Sequence, residues 1–139
     1  MPTIEELEKG RTLAELQGMT EELGAVVGDL AAAEAQAGNL EAARVILEGL
    51  LVTNPREALG WALLAQVERR RGETATALLC AEAAARLAPG DAQVRLSRAE
   101  VLLALPGDES EARQELRDLC RAGGAVGRRA ETLLGALGP

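Results

Sequence analysis

The sequence predicts an all-α fold: an α-α superhelix of three helix pairs, with an N-terminal helix before them and a C-terminal capping helix after them. Three observations carry this. The stretch GNLEAARVILEGLLVTNP from Gly38 returns as GETATALLCAEAAARLAP from Gly72, and the pairs Gly38/Gly72, Ala43/Ala77 and Pro55/Pro89 all share one spacing. Self-similarity at a fixed period of this size marks an array of stacked units. Within both stretches the apolar positions Ala43, Leu47, Leu50 and Ala77, Ala81, Ala84 recur at helical spacing. Finally, 47% of the chain is hydrophobic, yet Phe and Tyr are absent and Trp61 is the only aromatic. A core of Ala and Leu lets helix axes approach closely, whereas sheets favour β-branched and aromatic residues.

The 139 residues suit a single domain, 1–139. Thr3 followed by Glu6 resembles a capping box and predicts an N-terminal helix over about 3–18, with apolar positions Ile4, Leu7, Leu13 and Leu16. Gly10 weakens it. Thr20 then caps the first repeat helix, TEELGAVVGDLAAAEAQAG. Repeats follow at about 20–55, 57–89 and 91–124. Gly38 and Gly72 sit where one helix must close and the next begin, and Pro55 and Pro89 stop the second helix of each unit. In the third unit Gly107 takes the turn, Ala112 the small position, and Leu116 and Leu119 the stripe. Its turn, LPGDES, is one residue longer, and Arg98 stands where the earlier units have Leu30 and Leu64, so that helix is either rotated or shifted by one residue. A capping helix over about 125–137 presents Val126, Ala130, Leu133 and Leu137 on one side, as an array needs at its end. The total is about eight helices and no strand.

Composition excludes several functions. There is no His, the commonest general base and metal ligand. Cys80 and Cys120 form no CxxC pair and fall in apolar helical patterns, so they read as small buried hydrophobes with reduced thiols, and no metal or other cofactor is expected. The net charge of −7 opposes nucleic-acid binding, which needs a basic face. Glu21 and Glu22 favour a helix dipole, and the glycines of RAGGAVG near Gly124 lack the Lys-Ser/Thr of a phosphate loop and read as a helix break. No catalytic residue emerges, so the chain is not expected to be an enzyme. The start, MPTIEELEKG, lacks the basic and apolar regions of a signal peptide, and no apolar run is long enough for a membrane span. A cytoplasmic location is the expectation.

These residues resemble the tetratricopeptide repeat, a helix-turn-helix unit with a period of about 34 residues. The second copy matches through Trp61, Leu64, Ala65, Gly72, Ala77, Ala81, Ala84 and Pro89, and the first through Val27, Leu30, Ala31, Gly38, Ala43, Leu47, Leu50 and Pro55. Where the family usually has Tyr in the first helix, this chain has Glu34 and Glu68. The string AEVLLAL with the following EAR, and the ending RRAETLLGAL, also look like the class II chaperones of type III secretion, which bind hydrophobic translocator subunits before export.

The resemblance implies a concave groove, lined by the first helix of each pair, that takes a segment of a partner protein. Its groove positions fall on Gly28, Ala32, Ala35 and Gln36 in the first repeat. In the second they are Leu59, Ala62, Gln66, Arg69 and Arg70, and in the third Leu96, Glu100, Leu103 and Ala104. Such a face of small and apolar residues suits an extended peptide with hydrophobic anchors. The run Glu68, Arg69, Arg70, Arg71 reads either as a carboxylate clamp for an acidic peptide tail or as a solvated helix C-terminus, where cations favour the dipole. In the secretion chaperones the N-terminal helix often forms a homodimer, which gives Ile4, Leu7, Leu13 and Leu16 a role in self-association. The competing reading is a structural scaffold subunit of a larger bacterial assembly.

Overall fold

Gly38 and Gly72 set the architecture. Each takes a positive φ, +87° and +86°, and closes the helix before it with the same pair of backbone bonds. Asn39 N donates to Glu34 O at 2.8 Å and Gly38 N to Ala35 O; at the equivalent turn of the next unit, Glu73 N donates to Glu68 O at 2.9 Å and Gly72 N to Arg69 O. A side chain at either glycine would strain this left-handed closure.

The computed structural model describes the backbone of residues 3–139 and the side chains of 3–5 and 22–139. Among these residues there are seven helices and no strand: α1 (Ile4–Gln36), α2 (Leu40–Thr53), α3 (Ala58–Arg70), α4 (Thr74–Leu87), α5 (Ala92–Ala104), α6 (Ser110–Cys120) and α7 (Gly124–Leu137). The N-terminal helix expected at 3–18 and the first repeat helix expected after Thr20 are one continuous helix, α1. No proline falls between Thr3 and Asn54, and interior glycines such as Gly10 and Gly18 weaken a helix without ending it. Ile4 is exposed, and the side chains of Glu6, Leu7, Leu13, Leu16 and Thr20 lie outside the described residues.

The repeat register holds into the first helix of the third unit, α5, and the longer turn before α6 then adds one residue, placing Ala112 35 residues after Ala77. The bounds of α4 are those of α2 moved by one repeat period, and the bounds of α5 are those of α3 moved by the same period. Arg98 therefore occupies the place of Leu64 with no shift. Its Nε donates to Glu82 at 2.9 Å and its Nη2 to Glu111 at 2.8 Å, so the guanidinium is carried to carboxylates on α4 and α6 from a position that a leucine holds in the preceding unit. Leu30, the corresponding residue of α1, is 52% exposed, because nothing among the described residues packs over that face.

Consecutive helices pack together, and the backbones of α1 and α3, of α3 and α5, and of α5 and α7 also approach closely, while among the described residues the backbones of the even-numbered helices stay apart. An array whose odd helices meet and whose even helices stay apart curves with the odd helices inside. The largest core cluster joins Ala31 and Ala35 to Leu47, Leu50, Ala65, Val67, Ala77 and Ala81, with Cys80 5% exposed among them. A second joins Leu96, Ala99, Leu116, Leu119 and Ala130, and α7 closes this end with Val126, Leu133 and Leu137 against it. Cys120 is only half-buried, at the edge of that cluster. Trp61 is also half-buried, not enclosed between the helices of its own pair; it spans two clusters, and its Nε1 donates to Pro55 O at 2.7 Å. No helix among the described residues is long and apolar enough to cross a membrane.

Candidate functional site

The inner surface opens into one pronounced cleft of about 490 Å³ between α1, α3 and the start of α5. Five of the residues expected to form a groove line it: Gly28, Ala32, Leu59, Ala62 and Gln66. Helix α1 contributes a wall with almost no side chains, Gly24, Ala25, Gly28 and Ala32, and α3 faces it with Leu59, Gly60 and Leu63. Gly60 is placed by packing, since a Cβ there would lie 3.2 Å from Glu57 Cγ and 3.3 Å from Leu51 Cδ2. Gly28 differs: a Cβ there would meet nothing within 4 Å. Packing does not require the glycine, and its smallness keeps the cleft open.

The other expected groove residues lie elsewhere. Ala35 and Leu96 are buried in core clusters, and Leu103 packs half-buried against the second cluster. Gln36 and Ala104 are exposed beyond the cleft. The third repeat contributes Gln93 and Ser97 instead, because α5 turns its Leu96 face toward α6 and α7.

Beyond Gln66 the inner surface is polar and already paired. Gln66 Nε2 donates to Ser97 Oγ at 3.0 Å, and Gln66 Oε1 accepts from Arg69 Nε at 2.8 Å. Arg69 reaches Glu100 at 3.6 Å, and Glu100 accepts from Arg129 Nε at 3.2 Å. This ladder ties α3, α5 and α7 together. The arginine run is likewise occupied. Arg70 Nη1 donates to Ala35 O at 2.8 Å, and Arg71 Nη1 pairs with the buried Glu68 at 2.8 Å and its Nη2 with Glu41 at 3.2 Å. None of the three guanidiniums lines the cleft. Glu68, at the position where the tetratricopeptide pattern has Tyr, is thus buried as half of an ion pair.

The cleft's charged residues are Asp29 and Glu57, and no cation among the described residues lines it. Glu57 is the N-cap residue of α3 but makes no side-chain capping bond; the Asp91 carboxylate, its equivalent in the next unit, accepts Val94 N at 3.0 Å and caps α5. The sequence reading missed both acids. The one available signal was the alignment of Glu57 with Asp91 at the repeat period.

A second, shallower groove of about 390 Å³ lies between α1 and α2, lined by Leu23, Val27, Ile46 and Gly49 among others. Leu23, which lines it, is more than half exposed, as are Val26 and Leu30 elsewhere on α1 and Val45 and Val52 on α2. No protein-family model matches this chain, and no curated protein matches it.

Proposed function

We propose that this protein is a non-catalytic binding module of the tetratricopeptide type that holds an extended, hydrophobic segment of a partner protein in its concave cleft. The observation that carries this is Gly28. A glycine inside a helix costs about 1 kcal/mol relative to alanine, yet here an alanine would meet open space. A cost retained where packing does not require it supports a cleft kept free for an occupant. Exposed Leu59 and half-buried Leu63 opposite give that occupant apolar anchors.

The narrower proposal is a chaperone that shields the hydrophobic segment of a secreted translocator in the bacterial cytoplasm. It rests on the strings AEVLLAL and RRAETLLGAL and on the repeat architecture. A homodimer through α1 belongs to this proposal.

The exposed apolar residues of α1 and of the outer surface support a second reading, a scaffold subunit that binds through its end and convex faces. Val45 and Leu79, equivalent positions on α2 and α4, are 56% and 71% exposed, and such patches mark interaction surfaces.

The test is cross-linking and co-purification from the native cell, comparing wild type with Leu59→Glu in the cleft and Val45→Glu on the convex face. A hydrophobic partner lost with Leu59→Glu and kept with Val45→Glu supports the chaperone reading. The reverse pattern, partners kept with Leu59→Glu and lost with Val45→Glu, rejects it in favour of the scaffold.

A further inference from the structure

We infer that the segment taken by the concave cleft carries positive charge beside its apolar anchors: a leucine-type side chain flanked by Lys or Arg, not by Asp or Glu. This rests on the cleft being a peptide site. The argument is charge complementarity. The cleft wall is otherwise small and apolar, and its two charged residues, Asp29 on α1 and Glu57 at the head of α3, have the same sign.

Neither acid has a structural task that would use up its charge. Asp29 is exposed and no ion pair holds it among the described residues. Glu57 makes no capping bond, and its contact is a 3.3 Å hydrogen bond from Asn54 Nδ2. It also reaches across to α1, where a Cβ at Gly24 would lie 3.6 Å from its Oε2. The glycine leaves that carboxylate at the edge of the open cleft.

The arginines that could have reversed this preference are withheld. Arg69, Arg70 and Arg71 point to Glu100, the Ala35 carbonyl, Glu68 and Glu41. An acidic tail would meet two carboxylates and no free cation in the cleft, and the net charge of −7 would add long-range repulsion. A cationic flank would instead find two carboxylates of one sign beside the apolar wall of the cleft.

The test uses the full chain and three short dye-labelled peptides with blocked ends. They share the same pair of leucines and differ only in flanking residues, which are Lys, Gln or Glu. Binding is read by fluorescence anisotropy. The Lys peptide should bind about ten-fold more tightly than the Gln peptide, and the Glu peptide most weakly. The preference should shrink at about 0.5 M salt. Asp29→Asn with Glu57→Gln should remove the preference while leucine-dependent binding remains. Leucine-dependent binding with equal affinity for all three peptides overturns the charge inference and leaves the peptide site standing. So does a preference that survives the double substitution, since it then belongs to net charge alone. No binding by any of the three overturns both. Self-association of the chain that Leu59→Glu abolishes would show a second copy in the cleft, and that also overturns the inference.

Discussion

Gln66 and Ser97, on neighbouring inner helices, clasp each other across the wall of the cleft. Gln66 Nε2 donates to both Ser97 Oγ, at 3.0 Å, and Ser97 O, at 3.2 Å, while Ser97 Oγ donates to Ala62 O at 2.9 Å. Ser97 is 2% exposed, so these bonds replace water that cannot reach it. They join the second helix pair to the third at the point where the apolar cleft gives way to the polar ladder. Ser97→Ala removes the hydroxyl's bonds to Gln66 and to the Ala62 carbonyl, leaves the Gln66 amide only the backbone carbonyl of residue 97, and should cost about 1 kcal/mol in urea unfolding. In a double-mutant cycle with Gln66→Ala the two losses should fall short of additivity by about 1 kcal/mol. Strict additivity would mean the clasp contributes no coupling between the repeats.

Gly28 gives a prediction of opposite sign. Gly28→Ala removes the conformational cost of a helical glycine and meets no neighbour, so it should raise stability by about 0.5–1 kcal/mol. It also narrows the cleft, so affinity for a hydrophobic peptide should fall even as the melting temperature rises. Gly60→Ala should lack the stability gain, because its new methyl presses on Glu57 and Leu51. Denaturant unfolding of both variants beside peptide titration checks the pair. A Gly28→Ala protein that is stabilised and binds as well as wild type would show that the open space serves no ligand.

Trp61 tests the packing of the second pair. Full enclosure would make Trp61→Ala cost about 3–5 kcal/mol. The observed half-burial lowers the expectation to about 2–3 kcal/mol, with Trp61→Phe costing about 1 kcal/mol for the lost bond to the Pro55 carbonyl. Urea midpoints decide. A loss under about 1 kcal/mol for Trp61→Ala would mean the indole contributes little to the core and is free to serve as a ligand anchor.

The fold was readable because its punctuation is chemical. Gly38 and Gly72 are needed for positive φ, Pro55 and Pro89 stop helices, and the small residues Ala43 and Ala77 are fully buried. The continuity of α1 was less readable: Gly18 and Thr20 resemble a boundary, but neither forbids a helix. The register at Arg98 was ambiguous because hydrophobic patterning treats arginine as polar, and the partners that accept it there, Glu82 and Glu111, lie 16 and 13 residues away in sequence. The cleft was half readable. Gly28, Ala32, Leu59, Ala62 and Gln66 follow from the repeat register, but Leu96 and Leu103 are drawn into the core shared with α6 and α7, which a per-repeat reading does not include. Asp29 and Glu57 carry no local signal that separates a cleft carboxylate from a solvated one.

Cys80 makes alkaline stability a probe of the core. Burial, followed by the nearby charges of Glu68 and Glu48, pushes its thiol up to about 11 from an ordinary 9.0. The folded chain therefore holds this proton to higher pH than the unfolded chain. As pH rises through about 9 the unfolded form loses the proton first, and stability falls until the folded thiol also ionises near 11. A shift of this size corresponds to a loss of about 2–3 kcal/mol across that window. Few other groups obscure it: the chain has no Tyr, no His and the single lysine Lys9, and its other thiol, Cys120, is common to wild type and Cys80→Ala. Urea unfolding of wild type and Cys80→Ala at pH 8 and pH 11 isolates the effect. The wild type should lose about 2 kcal/mol more than the variant between the two. The difference in slope, not the absolute stability, is the readout. Equal losses would mean that the thiol reaches water in the folded state, and that the junction of α2, α3 and α4 is looser than its packing implies.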